Sequence, residues 1–329
     1  MASSNITVII VNYNGGNRLL ALLDALDRQT ARHEVIIVDN ASADGSARAA
    51  HAQFPGHRYL PLRRNTGFAH AVNLAVRHAD SELVVLLNPD TVPKPGFVEA
   101  LTAPFDGRPR LAAVAGTLVF ERSPEIIASA GIALHRNGLA IDRLLGEPLR
   151  NSAPQPVFGA SGGAAAFRRA AFLEAGGFPE VFFMYQEDVD LAMRLQLAGW
   201  DALWQPAAVA SHAYSASAGE GSPFKSRLIA RNRIWTLARC LPRRLWWQNF
   251  PAIAAYDGLA FGYGLATDRA AARGRAEALA RILPRLCERR KIAPDDGDVA
   301  RLAAWLEPSL APLEQRRLRR LTAKLAADG

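Results

Sequence analysis

Three short apolar runs set the pattern of this chain, and each stops at polar residues. Val8-Ile9-Ile10-Val11 ends at Asn12-Tyr13-Asn14, Val35-Ile36-Ile37-Val38 at Asp39-Asn40, and Leu83-Val84-Val85-Leu86-Leu87 at Asn88-Pro89-Asp90. Such runs are too short for helices and read as buried strands of a parallel sheet. Ligands of open α/β sheets bind outside the carboxyl ends of the strands, so three polar endings predict one crevice. Asp90 alone also reads as an ordinary turn residue after Asn-Pro.

Between the strands the period changes. Leu19, Leu20, Leu22, Leu23 and Leu26 recur at helical spacing within Arg18 to Arg28, and further helices are expected after Ser46 and over Ala71 to His78. A short strand is expected at Tyr59 to Leu62, and the basic loop Arg63-Arg64-Asn65-Thr66-Gly67 offers N–H groups and arginines to phosphate. This βαβαβ order predicts a parallel sheet with right-handed crossovers. No G-x-G-x-x-G follows the first strand, which argues against a dinucleotide site.

From Ala112 the texture favours antiparallel additions, with Asn137-Gly138 as a hairpin turn inside Ile132 to Ile141. Phe158 to Phe167 is rich in small residues, as where backbones approach closely. A helix then opens with Glu187, Asp188 and Asp190 and stops at Gly199; the helix dipole accounts for one acid in that turn but not three. Strands are expected at Ala202 to Trp204 and Val209-Ala210. The Ser/Ala/Gly-rich run from His212 to Ser222 reads as a mobile lid.

Composition narrows the class. The chain has 329 residues, 50% of them hydrophobic and 21% charged, the balance of a soluble globular protein. Two cysteines are too few for a disulfide framework, and the N-terminus lacks the basic start of a signal peptide, so a cytoplasmic protein is expected. Net charge is +8 but lopsided: from Lys225 onward there are 21 Lys+Arg against 10 Asp+Glu, and before it 18 against 21. Between Leu245 and Thr267 the only charged residue is Asp257, and aromatic residues crowd the run between arginines. That composition reads either as an interfacial segment on an anionic leaflet or as a helical hairpin packed on the body, while Pro251 and three glycines disfavour a spanning helix. Residues 275–327 read as basic amphipathic helices, with no nucleic-acid partner expected.

In this order, Val11-Asn12-Tyr13-Asn14, Val38-Asp39-Asn40-Ala41-Ser42, Asn65-Thr66-Gly67-Phe68, Asn88-Pro89-Asp90, Gly176-Gly177-Phe178, Tyr185-Gln186-Glu187-Asp188 with Arg194 and Gly199-Trp200, His212, and Arg231-Asn232-Arg233 resemble glycosyltransferase family 2. The rhamnosyltransferase-like branch of these inverting enzymes is the nearest in pattern. The resemblance implies an α/β fold of GT-A type over residues 1–235, a mostly parallel central sheet with a small antiparallel addition, and a helical extension over 236–329.

It further implies that Asn12, Tyr13 and Asn14 line the nucleotide pocket, that Asp39 bonds the base or ribose, and that Arg64, Asn65 and Gly67 flank it, with Arg194 also on the nucleotide sugar. Asp90 would be the last acid of a D-x-D element, holding the donor diphosphate through Mg²⁺ or Mn²⁺ with His212. Asp188 would be the catalytic base, with Glu187 and Asp190 as competitors. Trp200, Lys225, Arg231 and Arg233 would meet phosphate or acceptor. Expected partners are a dTDP- or UDP-sugar, best matched by dTDP-rhamnose, and a saccharide or polyprenyl-diphosphate-linked acceptor, with the protein peripheral on the inner face of the membrane. Asn88 and Pro89 replace the first acid of a full D-x-D, Pro179 stands where many relatives have Asp, and the Q-x-x-R-W element of processive synthases is absent, so one sugar per encounter is expected. A sugar nucleotidyltransferase would show a glycine-rich basic loop after the first strand. A non-catalytic scaffold would keep the fold without turnover.

Overall fold

The computed structural model describes residues 5–213, 222–289 and 294–327. The strands are β1 Ile6–Asn12, β2 Glu34–Asp39, β3 Arg58–Pro61, β4 Leu83–Leu87, β5 Thr91–Pro93, β6 Leu111–Phe120, β7 Ser123–Ser129, β8 Ile132–His135, β9 Ala140–Asp142, β10 Gln155–Pro156, β11 Ala164–Arg168, β12 Asp201–His212 and β13 Leu306–Glu307. The helices are α1 Gly16–Asp27, α2 Ser46–Gln53, α3 Phe68–His78, α4 Phe97–Thr102, α5 Arg169–Glu174, α6 Glu187–Leu197, α7 Pro223–Cys240, α8 Arg243–Thr267, α9 Arg269–Ala280, α10 Ile282–Arg289, α11 Asp296–Ala304 and α12 Pro312–Ala327.

The main sheet runs β10-β12-β6-β11-β4-β1-β2-β3, with β5 added to β12 and β7 to β6. Strands β4, β1, β2 and β3 are parallel in that order. Their alternation divides the core: Val8 and Ile10 pack with Leu19, Leu22, Leu23 and Leu26 of α1, whereas Ile9 and Val11 pack with Val72 and Val76 of α3. Each of those leucines is fully buried, worth about 2 kcal/mol apiece in area removed from water. Helices therefore cover both faces, as the unbroken apolar strands require.

β11 enters antiparallel between β4 and β6, pairing Ala164 with Leu87 and Ala165 with Ala115. That insertion lays the Gly162-Gly163 turn against the carboxyl end of β4. The small-residue run before it is needed for close packing: a Cβ on Gly159 would collide with Ala192 of α6.

The expected hairpin is present, with β8 and β9 antiparallel around Asn137-Gly138 and Gly138 at φ +73. The two strands expected near 202–210 are one strand, β12, with a register shift between Trp204 and Val209. Pro206 in that interval has no N–H to give the ladder, and a bulge absorbs it.

The tail is sewn onto the body. α7 runs across residue 235, where the catalytic part was expected to end, and β13 pairs in parallel with β8. Asn137 Nδ2 donates to the Leu310 carbonyl at 3.1 Å. Residues 245–267 lie in one continuous helix, α8, that includes Pro251. Among the described residues no helix is long and apolar enough to cross a membrane.

Candidate active site at the carboxyl edge of the sheet

β1 and β2 end side by side, with Asn12 paired to Asp39. Asn12 is wholly buried, and its Nδ2 lies 3.1 Å from Asp39 Oδ1 and 3.0 Å from both Ser42 Oγ and Ser46 Oγ. Its Oδ1 accepts from Gly15 N at 3.2 Å. The carboxamide is thus committed to the loops around it, tying the end of β1 to the loop after β2 and to the head of α2. Tyr13 is exposed, and Asn14, at φ +54, accepts from Ala43 N at 2.8 Å.

Asn40 does the same for the next loop. Its Oδ1 accepts from Thr66 N at 2.8 Å and its Nδ2 donates to the Gly67 carbonyl at 3.2 Å. Asn65 accepts from Gly67 N at 2.9 Å, and Arg64 beside it is exposed. Gly67 sits at φ +85, and a Cβ there would strike the Phe183 carbonyl, so the loop needs glycine on both counts.

After β4, Thr91 turns back on Asn88: its N–H and Oγ1 both bond the Asn88 carbonyl, at 3.1 and 2.7 Å. β5 can then pair with the end of β12, Thr91 opposite His212. The result is Asp90 Oδ1 at 3.2 Å from His212 Nε2, both side chains nearly buried. Burial pushes the Asp90 carboxyl up, but the His212 hydrogen bond and charge, with Arg18 farther off, hold it below the ordinary range. One ionised carboxylate and one imidazole are suitable donors for Mg²⁺ or Mn²⁺. Among the described residues no third His, Cys, Asp or Glu completes a cluster. The pair fits only a cation whose remaining ligands are diphosphate oxygens and water, the usual habit of Mg²⁺.

The acids opening α6 separate into three roles. Asp188 Oδ2 accepts from Gly162 N at 3.1 Å and Oδ1 from Val189 N at 2.8 Å. Gly163, next in the chain, accepts from Asn88 N at 3.1 Å, so two residues link Asp188 to the turn that carries Asp90. Burial raises the Asp188 pKa, the two amides oppose the rise, and Asp142 adds to it. Glu187 is buried with Oε2 unpartnered, and burial and then Asp188 push its pKa well up. Asp190 is fully buried between Arg194 and Arg239, at 2.8 Å from each Nε, and is removed as a competing base.

Other expected contacts fall elsewhere. Arg194 is buried, bonding Asp190, the Ala175 carbonyl and the Gly177 carbonyl, so it fixes the Gly176-Gly177 turn and does not reach the nucleotide pocket. Arg233 is buried on Asp257 at 2.7 Å and on the Asn137 carbonyl, away from any phosphate or acceptor. Arg231 turns inward to Asn232 Oδ1 and the Phe182 carbonyl, at 2.9 Å each, and its guanidinium lies over Trp235. Both arginines were expected on phosphate or acceptor; Arg233 is buried away from it, and Arg231, partly exposed, spends its Nε and Nη2 on the protein's own network. Lys225 stands over the Tyr185 ring at 5.8 Å, beside the α6 entrance, and Trp200 shares with Asp188 a narrow crevice flanked by Gly159 and Ala192. The segment expected as a lid falls at 214–221, outside the described residues.

Asn40, Gly162 and Asn232 had no assigned part in the sequence reading. All three lie in quoted motifs or in the small-residue run, which is the signal they leave.

A sheet with β11 reversed within it, an acid-histidine pair after β4 and an acid at the head of α6 together define a glycosyltransferase of the GT-A class. The chain belongs to glycosyl transferase family 2, whose model matches residues 7–176. It is 31% identical over 269 residues to the N-acetylglucosaminyl-diphospho-decaprenol L-rhamnosyltransferase of Mycobacterium tuberculosis (strain ATCC 25618 / H37Rv), covering 73% of this chain and 86% of that one. It is 24% identical over 225 residues to rhamnosyltransferase WbbL of Escherichia coli (strain K12), covering 62% of this chain and 82% of that one. The mannosyltransferase PcManGT of Pyrobaculum calidifontis, solved with GDP-Man and Mn²⁺, has the same fold at a TM-score of 0.53 and 21% identity, over 100% of this chain and 88% of that one.

Proposed function

We propose that the chain moves one L-rhamnosyl unit from dTDP-rhamnose to a polyprenyl-diphosphate-linked glycan, with inversion, in cell-envelope synthesis. The observation that carries this reading is the link Asp188, Gly162-Gly163, Asn88, Asp90, His212 along one sheet edge. The mycobacterial rhamnosyltransferase, matched over most of both chains, supports the sugar and the lipid-linked acceptor.

In the reaction the acceptor hydroxyl oxygen attacks the anomeric carbon of the donor, the bond from that carbon to the diphosphate oxygen breaks, and the hydroxyl proton passes to Asp188. Two amides aim Asp188 and oppose the rise that burial gives its pKa, while burial pushes the neighbouring Glu187 well up. A divalent cation on Asp90 and His212, when bound, neutralises charge on the leaving diphosphate. Asp39 and the Asn65-Gly67 loop hold the nucleoside, with Asn12 and Asn40 keeping both loops in place.

A lipid-linked acceptor calls for a protein at the bilayer surface, and α8 has a face suited to it. Trp247, Phe250, Leu259, Phe261, Tyr263 and Leu265 are exposed, while Leu245, Ile253, Tyr256 and Gly264 are buried. The exposed side has arginines at its ends, Arg243 and Arg244 before it and Arg269 after it. Apolar and aromatic side chains edged by cations match an anionic leaflet, each arginine near the surface adding about 1 kcal/mol. The protein therefore works from the cytoplasmic side as a peripheral enzyme.

The test is turnover of dTDP-rhamnose, UDP-hexoses and GDP-mannose with a polyprenyl-diphosphate-GlcNAc acceptor, with and without Mn²⁺, alongside flotation with anionic vesicles at low salt. Rhamnosyl transfer that Asp188→Asn lowers by about 10²- to 10⁴-fold is expected. Undiminished transfer by that variant removes the base, preference for a UDP-hexose replaces the donor, and failure to float removes the leaflet.

A further inference from the structure

We propose that Asn232 is a positioning residue for the reaction: its buried carboxamide holds the backbone of residues 182–186 in the conformation that delivers Asp188 to the Gly162 N–H. The proposal rests on Asp188 acting as the base.

Three residues in this short segment have left-handed backbones without being glycine: Phe183 at φ +69 and ψ −62, Tyr185 at φ +70, and Gln186 at φ +69. Each such residue is strained, and strain of this kind persists only where surrounding contacts enforce it. Gln186 is also the residue from which α6 starts, without a side-chain cap, so the strained stretch runs directly into Glu187 and Asp188. Asn232, in α7 and fully buried, supplies the enforcement. Its Nδ2 lies 3.0 Å from the Phe182 carbonyl, 2.9 Å from Met184 and 2.8 Å from Tyr185. A carboxamide has two N–H groups for these three acceptors, so one is shared. Its Oδ1 takes Arg231 Nε at 2.9 Å, which fixes the orientation of the amide, and Arg231 also bonds the Phe182 carbonyl.

From the far side, the Phe183 carbonyl accepts Ala69 N at 3.1 Å, which seats the segment on the loop at Gly67. The segment is therefore gripped between α7 and the start of α3. Loss of the α7 grip frees the stretch to relax toward ordinary φ values, and Asp188 then leaves Gly162. The donor-side groups Asp39, Asp90 and His212 sit on other elements, at the end of β2, in the turn after β4 and at the end of β12. Asp188 is faced by Glu187 and Asp142, both acidic, so losing the Gly162 amide leaves its ionised form less supported.

Asn232→Asp keeps the shape but points an acceptor at three carbonyls, and Asn232→Ala removes the grip. Each is expected to lower kcat about 10²-fold with donor KM within about threefold, and to move the acid limb of the kcat profile to higher pH. The double variant Asn232→Ala/Gln186→Gly, whose glycine accepts φ +69 freely, is expected to recover at least about fivefold in kcat. Amide hydrogen exchange over 182–190 should quicken in Asn232→Ala whether or not a donor is turned over. If the Asn232 variants do not accumulate as folded protein, Arg231→Lys, which loses the Nε contact, is expected to show the same signs at about threefold to tenfold. Wild-type-like kcat, equal losses in kcat and donor affinity, an unmoved acid limb, or unchanged exchange overturns the proposal. Absence of turnover by the wild-type enzyme with every donor overturns the transferase reading instead, and exchange still decides the role of Asn232.

Discussion

Asp190→Asn removes one negative charge from a site where two guanidinium groups depend on it. Asp190 is fully buried; Oδ1 lies 2.8 Å from Arg194 Nε, Oδ2 lies 2.8 Å from Arg239 Nε, and Cys240 Sγ is 3.1 Å from Oδ2. Taking one partner from a buried pair costs about 3–5 kcal/mol, because the remaining charge has lost its compensation. Arg239 also pairs with Glu288, which softens its share and places the expected loss near about 3 kcal/mol. With a urea slope of about 3 kcal/mol/M for a chain of this size, the unfolding midpoint falls by about 1 M. The pH dependence has a definite sign. Burial raises the Asp190 pKa, but Arg194 and then Arg239 outweigh it, and the folded value lies below the ordinary 3.8. Stability from the ionised group is thus present above about 4 and drains as pH falls through the folded value, so wild type and variant converge in acid. Urea melts at pH 7 and at pH 3 test both parts. A midpoint shift under about 0.3 M at pH 7, or a gap that widens in acid, refutes the reasoning.

Three further outcomes follow from the same geometry. Glu187→Gln should raise the unfolding midpoint at pH 7–8: a raised folded pKa means wild type loses stability as pH climbs from the ordinary 4.5 toward that value, a slope the amide lacks, while kcat stays within about tenfold. Asp90→Asn should lower kcat/KM for the nucleotide sugar about 10²- to 10³-fold and abolish stimulation by added Mn²⁺, measured by steady-state kinetics. Gly67→Ala, at φ +85 and against the Phe183 carbonyl, should cost about 1–3 kcal/mol in thermal or urea melts and raise donor KM, whereas Gly56→Ala, with open space around it, should do neither.

The parallel half of the fold was open to reading because β1, β2 and β4 are apolar on both faces and stop abruptly at polar residues, and Asp39 and Asp90 stand at those stops. The pairing of Asp90 with His212 joins residues far apart in the chain; it depends on the Thr91 turn and the β5/β12 register, which no local pattern announces. The arginines misled for a different reason. Ten of the eleven α6 residues are buried, so the helix has no polar face to mark which charges meet ligand and which are interior. Asp188 and Asp190 look alike in sequence, yet two residues apart on a helix they point to different sides, one to the sheet edge and one to Arg194 and Arg239. Likewise Asn232 and Arg233, adjacent on α7, diverge to the Phe182–Tyr185 carbonyls and to Asp257.

α7 touches nearly everything that matters here: Asn232 grips the entrance of α6, Arg239 holds Asp190 inside it, and Arg233 is bound to Asp257 of α8. α8, α7 and the head of α6 are consequently bound to one another in series. If the enzyme rests on a lipid sheet through α8, the bonds from α7 tie the head of α6, and Asp188 with it, to that resting surface. The tilt at which the whole body settles must then choose which hydroxyl comes within reach.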